Sequence, residues 1–243
     1  MKQGVHLILC IVVGFVYYEI FKYLGIPFWA HALSIPVLVY LMIFATNLYS
    51  FRMALDFEKI PAKGYGSRIF DLKQHETNLF GLGLRKFDEF YWRTATDAIV
   101  YAYTTDDRSI VLCDYHLGAV QFCDLVTNFE GGFSLTTSNN SSSGNIPREN
   151  KKMLQIFHGA VFSEALRNHL IAIEFLKQKG FQVRYWKIHN FRMRFAKAFL
   201  SERENTIGLL SPIKLLYYMA TNYKFRYMKP VQQQFLAKTL ELP

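Results

Sequence analysis

The chain has 243 residues, 51% of them hydrophobic and 16% aromatic, with 19% charged and a formal net charge of +9. This apolar content excludes a largely disordered chain, because disorder follows from too little apolar surface to bury. Three cysteines, few and odd in number, exclude a secreted disulfide framework, and the length allows one or two domains.

The apolar excess is greatest at the start. From Gln3 to Tyr18, and again from Tyr23 to Phe51, there is no Asp, Glu, Lys or Arg; Glu19 and Lys22 lie between. Two helices fit, His6–Phe21 and Leu33–Phe51, with Gly25 and Pro27 breaking the chain between them. A membrane span needs about 20 mostly apolar residues, so residues 1–52 are predicted to form a two-helix transmembrane hairpin. Tyr17, Tyr18, Tyr23, Phe28, Trp29 and Tyr49 near the ends suit the membrane interface. Lys2 before the first span and Arg52, Lys59, Lys63 and Arg68 after the second predict both termini in the cytoplasm. The chain therefore reads as an integral protein of a bacterial plasma (inner) membrane, with the lipid bilayer as its first partner.

Residues 53–67, with Pro61, Gly64 and Gly66, read as a connector. Residues 68–183 read as a cytoplasmic α+β domain. It opens with a helix over Ser67–Phe80, carried by Ile69, Leu72 and Leu79 and stopped at Gly81 and Gly83. The period then changes to that of strands. Phe87–Arg93, Ala98–Tyr103, Ser109–Tyr115, Ala119–Val126 and Phe133–Thr137 are rich in β-branched and aromatic residues. Turn residues separate them at Thr105-Asp106-Asp107, Leu117-Gly118 and Glu130-Gly131-Gly132. Spacing of about ten residues predicts an antiparallel β-meander of about five strands. A polar loop, predicted to be mobile, covers 138–150. Met153–Phe157 reads as a short edge strand. A helix over Phe162–Lys179 follows, with Leu166, Leu170, Ile173 and Leu176 on one face and Gly180 as its stop. The fold class is a membrane-anchored α+β protein with the helices packed on one face of the sheet.

Charge divides sharply along the chain. Residues 1–50 hold 2 basic and 1 acidic residues, 51–137 hold 9 and 12, and 138–243 hold 17 and 6. The positive charge thus belongs to a basic, amphipathic helical region over 184–243. There Phe191, Phe195 and Phe199 recur every four residues among Lys187, Arg192, Arg194 and Lys197. A second apolar stretch covers Ile207–Ala220. An apolar stripe with a basic flank is the composition of an interfacial helix, so these seven residues are the candidate membrane-surface contacts. The competing reading packs the phenylalanines on the domain core. Nucleic acid is the disfavoured partner.

Candidate chemistry centres on five residues. Cys113-x-x-His116 with Cys123 brings three soft ligands near one hairpin, but lacks the second short pair of a zinc site. Cys113 or Cys123 with His116 and Asp114 can be drawn as a nucleophile and base, although neighbours in a strand face opposite ways. His75 and His169 fall beside the apolar stripes of two helices that one sheet face would bring together. Asp88-Glu89 and Asp106-Asp107 read as strand-edge or turn carboxylates. No metal site and no cofactor are expected. Two functions follow. One is a membrane-anchored binding or adaptor module acting through a membrane-protein or cytoplasmic partner. The other is a membrane-associated hydrolase or transferase acting on a lipid or lipid-linked substrate. Titratable side chains converging in one place would favour the enzyme.

Overall fold

Side-chain alternation between Leu84 and Ser138 builds the protein around a sheet with two buried faces. The computed structural model describes residues 76–92, 98–117, 120–144, 151–204 and 227–237, with isolated positions at 19, 22, 23, 25, 37, 40, 41, 57, 58, 217 and 225. The chain divides into two units, Met1–Thr46 and Asn47–Pro243; the sheet belongs to the second. Its strands are β1 (Phe57–Glu58), β2 (Leu84–Trp92), β3 (Ala98–Thr105), β4 (Val111–Leu117), β5 (Val120–Phe129), β6 (Ser134–Ser138), β7 (Lys152–Ile156) and β8 (Val183–Arg184). They run in sequence order from β1 to β7, with β8 paired to β5. All pairs are antiparallel except β6 with β7. The predicted meander of five strands becomes an eight-stranded mixed sheet. The parallel pair exists because the polar segment after Ser138 is long enough for a crossover, which a hairpin turn is not.

That segment is tied down where it begins. Asn139 N donates to Cys123 O and its Oδ1 accepts from Cys123 N at 2.7 Å, so a side chain extends the β5–β6 ladder by one position. Its Nδ2 also donates to Ala160 O at 3.1 Å. Ser138 Oγ bonds Ser143 Oγ at 2.8 Å.

Helix α1 (Phe162–Gln178) covers one sheet face over β5 and β6. Its buried positions are Ala165, Leu166, His169, Ala172, Ile173 and Leu176. The expected stripe included Leu170, which is 49% exposed; His169 and Ala172 take its place, because the sheet below offers two threonine hydroxyls. Helix α2 (Phe191–Glu204) lies on the opposite face. Phe191, Phe195 and Phe199 pack there against Phe87, Phe90 and Trp92, with edge-to-face rings such as Phe195–Trp92 at 4.8 Å. The two domain helices expected on one face share one core, where Leu79 lies with Ala165, Leu166 and Leu176; α2, from the basic region, takes the other face. The second face carries Phe90, Trp92, Val100 and Tyr115, apolar side chains that must also leave water. Helix α3 (Val231–Leu236) closes the β7 edge: Gln234 Nε2 donates to Leu154 O at 2.8 Å, and Val231 N donates to Gln155 Oε1 at 3.1 Å. Covering an edge in this way removes a template for further strand pairing.

The transmembrane reading is corrected. Among the described residues, no helix is long and apolar enough to cross a membrane. Of the segment 1–52, Glu19, Lys22, Tyr23, Val37, Tyr40 and Leu41 are described as helical positions, and Gly25, at φ 62°, bonds back to Lys22 O in a turn. The rest of the hairpin lies outside the described residues. The membrane-anchored fold class and the bacterial inner-membrane localisation with cytoplasmic termini fall with it, since both rested on continuous spans. Also outside are the helix over 207–220 apart from Tyr217, the connector over 53–67 apart from β1, and all of the 67–80 helix before Glu76.

Phe191 is buried and meets four aromatic rings. Phe191→Ala is expected to lower unfolding stability by about 3–5 kcal/mol, read as a drop in urea midpoint at unchanged slope. A loss below the error of the measurement would show that α2 does not hold this face.

Candidate functional site

Strand β2 contains one irregularity, and the site depends on it. Its register with β3 shifts between Lys86 and Asp88, leaving Phe87 as an extra residue. A bulge of this kind re-aims the side chains around it. Lys86 pairs Tyr103, Asp88 pairs Ala102 and Glu89 pairs Tyr101. Phe87 and Asp88 therefore both turn to the α2 face. Asp88 receives Arg192 there at 2.6 and 2.9 Å, and Arg192 Nη2 also donates to Glu89 O at 3.0 Å. Lys86 and Glu89 both turn to the other face, where they form an ion pair at 3.2 Å. In a regular strand, residues three apart lie on opposite faces.

On that face, the one α1 covers, the registers align one cross-strand row, Glu89–Tyr101–Asp114–Cys123, beside another, Ile99–His116–Gln121. Asp114 is 0% exposed. It accepts from His116 Nε2 at 2.9 Å and from Gln121 Nε2 at 3.1 and 3.2 Å. A carboxylate accepts and does not donate, so with Asp114 ionised the proton between them sits on His116 Nε2 and Nδ1 is the ring nitrogen outside this bond. The His116 side chain keeps 16% of its surface exposed, and its ring stands edge-on to Tyr101 at 5.3 Å. Across the Tyr101 ring, Lys86 Nζ sits 5.7 Å from the centroid and bonds Glu76 and Glu89. Burial alone would lower the Lys86 ammonium, but its hydrogen bonds to Glu76 and Glu89 hold it above the usual lysine range. Burial, with the Glu89 charge second, pushes the Tyr101 hydroxyl up to about 12. Burial and then Glu76 push Tyr103 above the usual tyrosine range. Tyr103 Oη is buried and has no hydrogen-bond partner among the described residues.

The candidate residues named from the sequence divide as follows. His116 joins Asp114 in the cluster. Cys123 lies in the same row, directly opposite Asp114, but is fully buried; burial, then the Asp124 charge, raises its thiol well above the usual range. Cys113 pairs Asp124 and faces the α2 side, with its thiol raised by the same two causes. The Cys-x-x-His spacing thus splits across the sheet, and among the described residues no three His, Cys, Asp or Glu side chains are grouped to hold a metal ion. His75 lies outside the described residues. Lys187 and Lys197 are exposed, Arg194 is partly buried, and Arg192 is bound to Asp88. The three phenylalanines between them lie against the sheet. Asp107 Oδ1 accepts from Thr105 Oγ1, Ser109 N and Ser109 Oγ, the arrangement of an Asx turn; burial opposes its charge, but these bonds hold it below the usual carboxylate range.

His169 is fully buried under α1 and sits within a chain of hydrogen bonds whose direction can be assigned. Gln155 Nε2 donates to Thr137 Oγ1 at 2.8 Å. Thr137 Oγ1 then donates to His169 Nδ1 at 2.7 Å. His169 Nε2 donates to Thr127 Oγ1 at 3.0 Å, and Thr127 donates onward to Ser109 O at 3.1 Å. Each hydroxyl gives one hydrogen and accepts one, so the imidazole is neutral, with its proton on Nε2. Burial without a counter-charge lowers its pKa to about 3. This histidine packs the domain; it does not face His116's row.

Sequence reasoning missed Tyr101, Tyr103, Gln121, Lys86 and Glu76 as members of one site. The alternation placed Asp114 with His116, but the bulge that adds Lys86 and Glu89 leaves no mark in the composition. Comparison with protein-family models, with curated proteins and with solved structures finds no match to this chain.

The folded His169 resists a proton that the unfolded chain takes up near pH 6.5. Its contribution is complete above that pH and declines as pH falls toward 3, by about 2 kcal/mol at pH 5. Wild-type stability should therefore fall from pH 7 to 4, and His169→Gln should flatten the slope by about one proton. Equal slopes in urea titrations of the two proteins would refute the assignment.

Proposed function

We propose that the chain is an enzyme of the hydrolase or transferase type, with His116 as its general base and acid and Asp114 as the group that orients it. The Asp114–His116 pair carries this reading: a carboxylate without solvent access, bonded at 2.9 Å to an imidazole that keeps some. The carboxylate holds Nε2–H, so Nδ1 is the atom that takes a proton from water or a substrate hydroxyl. The imidazolium then formed is stabilised by Asp114, and its proton passes to the leaving group. Gln121 Nε2 donates to both carboxylate oxygens beside the imidazole, 3.4 Å from His116 Nε2, and so holds the carboxylate in place. The Tyr101 hydroxyl stays protonated through the neutral range and serves as a donor toward bound substrate.

Purified protein assayed on p-nitrophenyl acetate and p-nitrophenyl phosphate is expected to hydrolyse one of them. His116→Ala should lower kcat/KM by about 10²–10⁴, and Asp114→Asn should lower it while leaving KM near the wild-type value. No turnover by folded wild type, or an unchanged rate in His116→Ala, would remove the proposal. A second reading, a protein-binding module, is supported by Leu170 and Ile171, 49% and 54% exposed on the outer side of α1; large apolar side chains left in water mark contact surfaces when they adjoin.

A further inference from the structure

We propose that Glu76, Glu89 and the face of the Tyr101 ring form a binding site for a primary alkylammonium group, filled in this structure by the protein's own Lys86. The recognition chemistry is already displayed. One ammonium bonds two carboxylates from different elements, Glu76 in the 76–81 helical turn and Glu89 in β2, and lies over an aromatic ring. A cation against a ring face and two anions is a recurrent solution for amine recognition. The Phe87 bulge builds the site, since without it Lys86 and Glu89 would point to opposite faces.

Two further observations point to a ligand beyond Lys86. The first is Tyr103, which pairs Lys86 directly across the strands. Its buried Oη has no partner among the described residues, and the charges acting on it are those of Glu76, Asp114 and Glu89. A buried hydroxyl without a partner is costly. An ammonium has three donors; that of Lys86, tied to its own strand, leaves Tyr103 Oη unbonded among the described residues, whereas an untethered amine between Glu76 and Glu89 is free to turn its third donor toward that oxygen. The second is charge. Two carboxylates, Glu76 and Glu89, share one lysine here, an acidic site in a chain of net charge +9. The Lys86 side chain remains 35% exposed on an unbranched stem, so it can withdraw into water when another amine arrives. Because Tyr101 touches both Lys86 and His116, an amine bound here would present the rest of its molecule to the imidazole. The role as a substrate site rests on the catalytic reading above; the binding of the amine does not.

The test is calorimetric titration of the full chain with n-butylammonium, with n-butanol as the neutral isostere. Wild type should bind the amine weakly, in competition with Lys86. Lys86→Met, and Lys86→Gln as a second variant in case the first folds poorly, should bind it at least ten-fold more tightly and should not bind butanol. Adding Glu89→Gln to either should abolish the gain. Butylammonium should also raise the thermal midpoint of the Lys86 variants more than that of wild type. Binding no tighter than wild type in both Lys86 variants, or equal binding of butanol, would overturn the proposal. Amine binding without ester or phosphate hydrolysis would leave this site standing and remove the catalytic reading. Hydrolysis without amine binding would do the reverse.

Discussion

One extra residue in β2 organises both sides of this protein. Strand side chains alternate without exception unless a bulge intervenes, and Phe87 is that exception. On one side it adds Phe87 and Asp88 to the surface that receives α2, where Arg192 binds Asp88 and reaches the Glu89 carbonyl. The helix is thus fixed by charge at its first turn and by three phenylalanines along its length. On the other side the same shift gathers Lys86 and Glu89 beside Tyr101. Restoring regular register would separate the ion pair and turn Asp88 away from Arg192 at once.

The face under α1 also shows what buried polar groups demand. Thr127, Thr137, Gln155 and His169 all lie out of water, where an unpaired group is far more costly than a paired one is stabilising. They meet the demand by forming a single directed chain from the Gln155 amide to the Ser109 carbonyl. Gln155 extends the chain to the backbone of α3 through Val231. Sheet, α1 and α3 are therefore joined by bonds that work in one orientation, which specifies how the layers meet more sharply than apolar contact does. Asp114, on the same face, uses a different solution: two side-chain donors, one of them an imidazole still open to solvent. Two buried polar clusters on one face thus have distinct characters, one closed, the other open to solvent through His116.

Some of this is legible in the order of residues and some is not. Alternation along β3 and β4 separates Cys113 from Asp114 and His116, so the splitting of the Cys-x-x-His motif follows from strand geometry alone. Phenylalanines at 191, 195 and 199 announce a helix face but not what it meets. A bilayer and a second apolar sheet face offer the same free-energy gain to such a stripe, and the structure places it on the sheet. The apolar run before residue 52 invited spans by length and lack of charge, a criterion that no helix among the described residues meets. Leu170 and His169 exchanged roles because periodicity counts hydrophobicity, whereas the sheet beneath α1 presents hydroxyls.

What the residue order determined by itself is local. It set the change to a strand period, read at Phe87 and found at Leu84, the turn at Asp107, the helix that stops at Gly180 and the concentration of positive charge after residue 138, each decided by neighbours a few positions apart. What tertiary structure alone decided is which side chains meet. Tyr101 and Asp114 share one row and His116 and Gln121 the next because successive strand pairs set their registers, Glu76 joins from a separate helical turn, and Lys86 enters through a bulge of one residue. Register is a property of pairs of strands, and a shift of one position moves a side chain to the opposite face. For that reason the site could be named from single segments but not assembled from them.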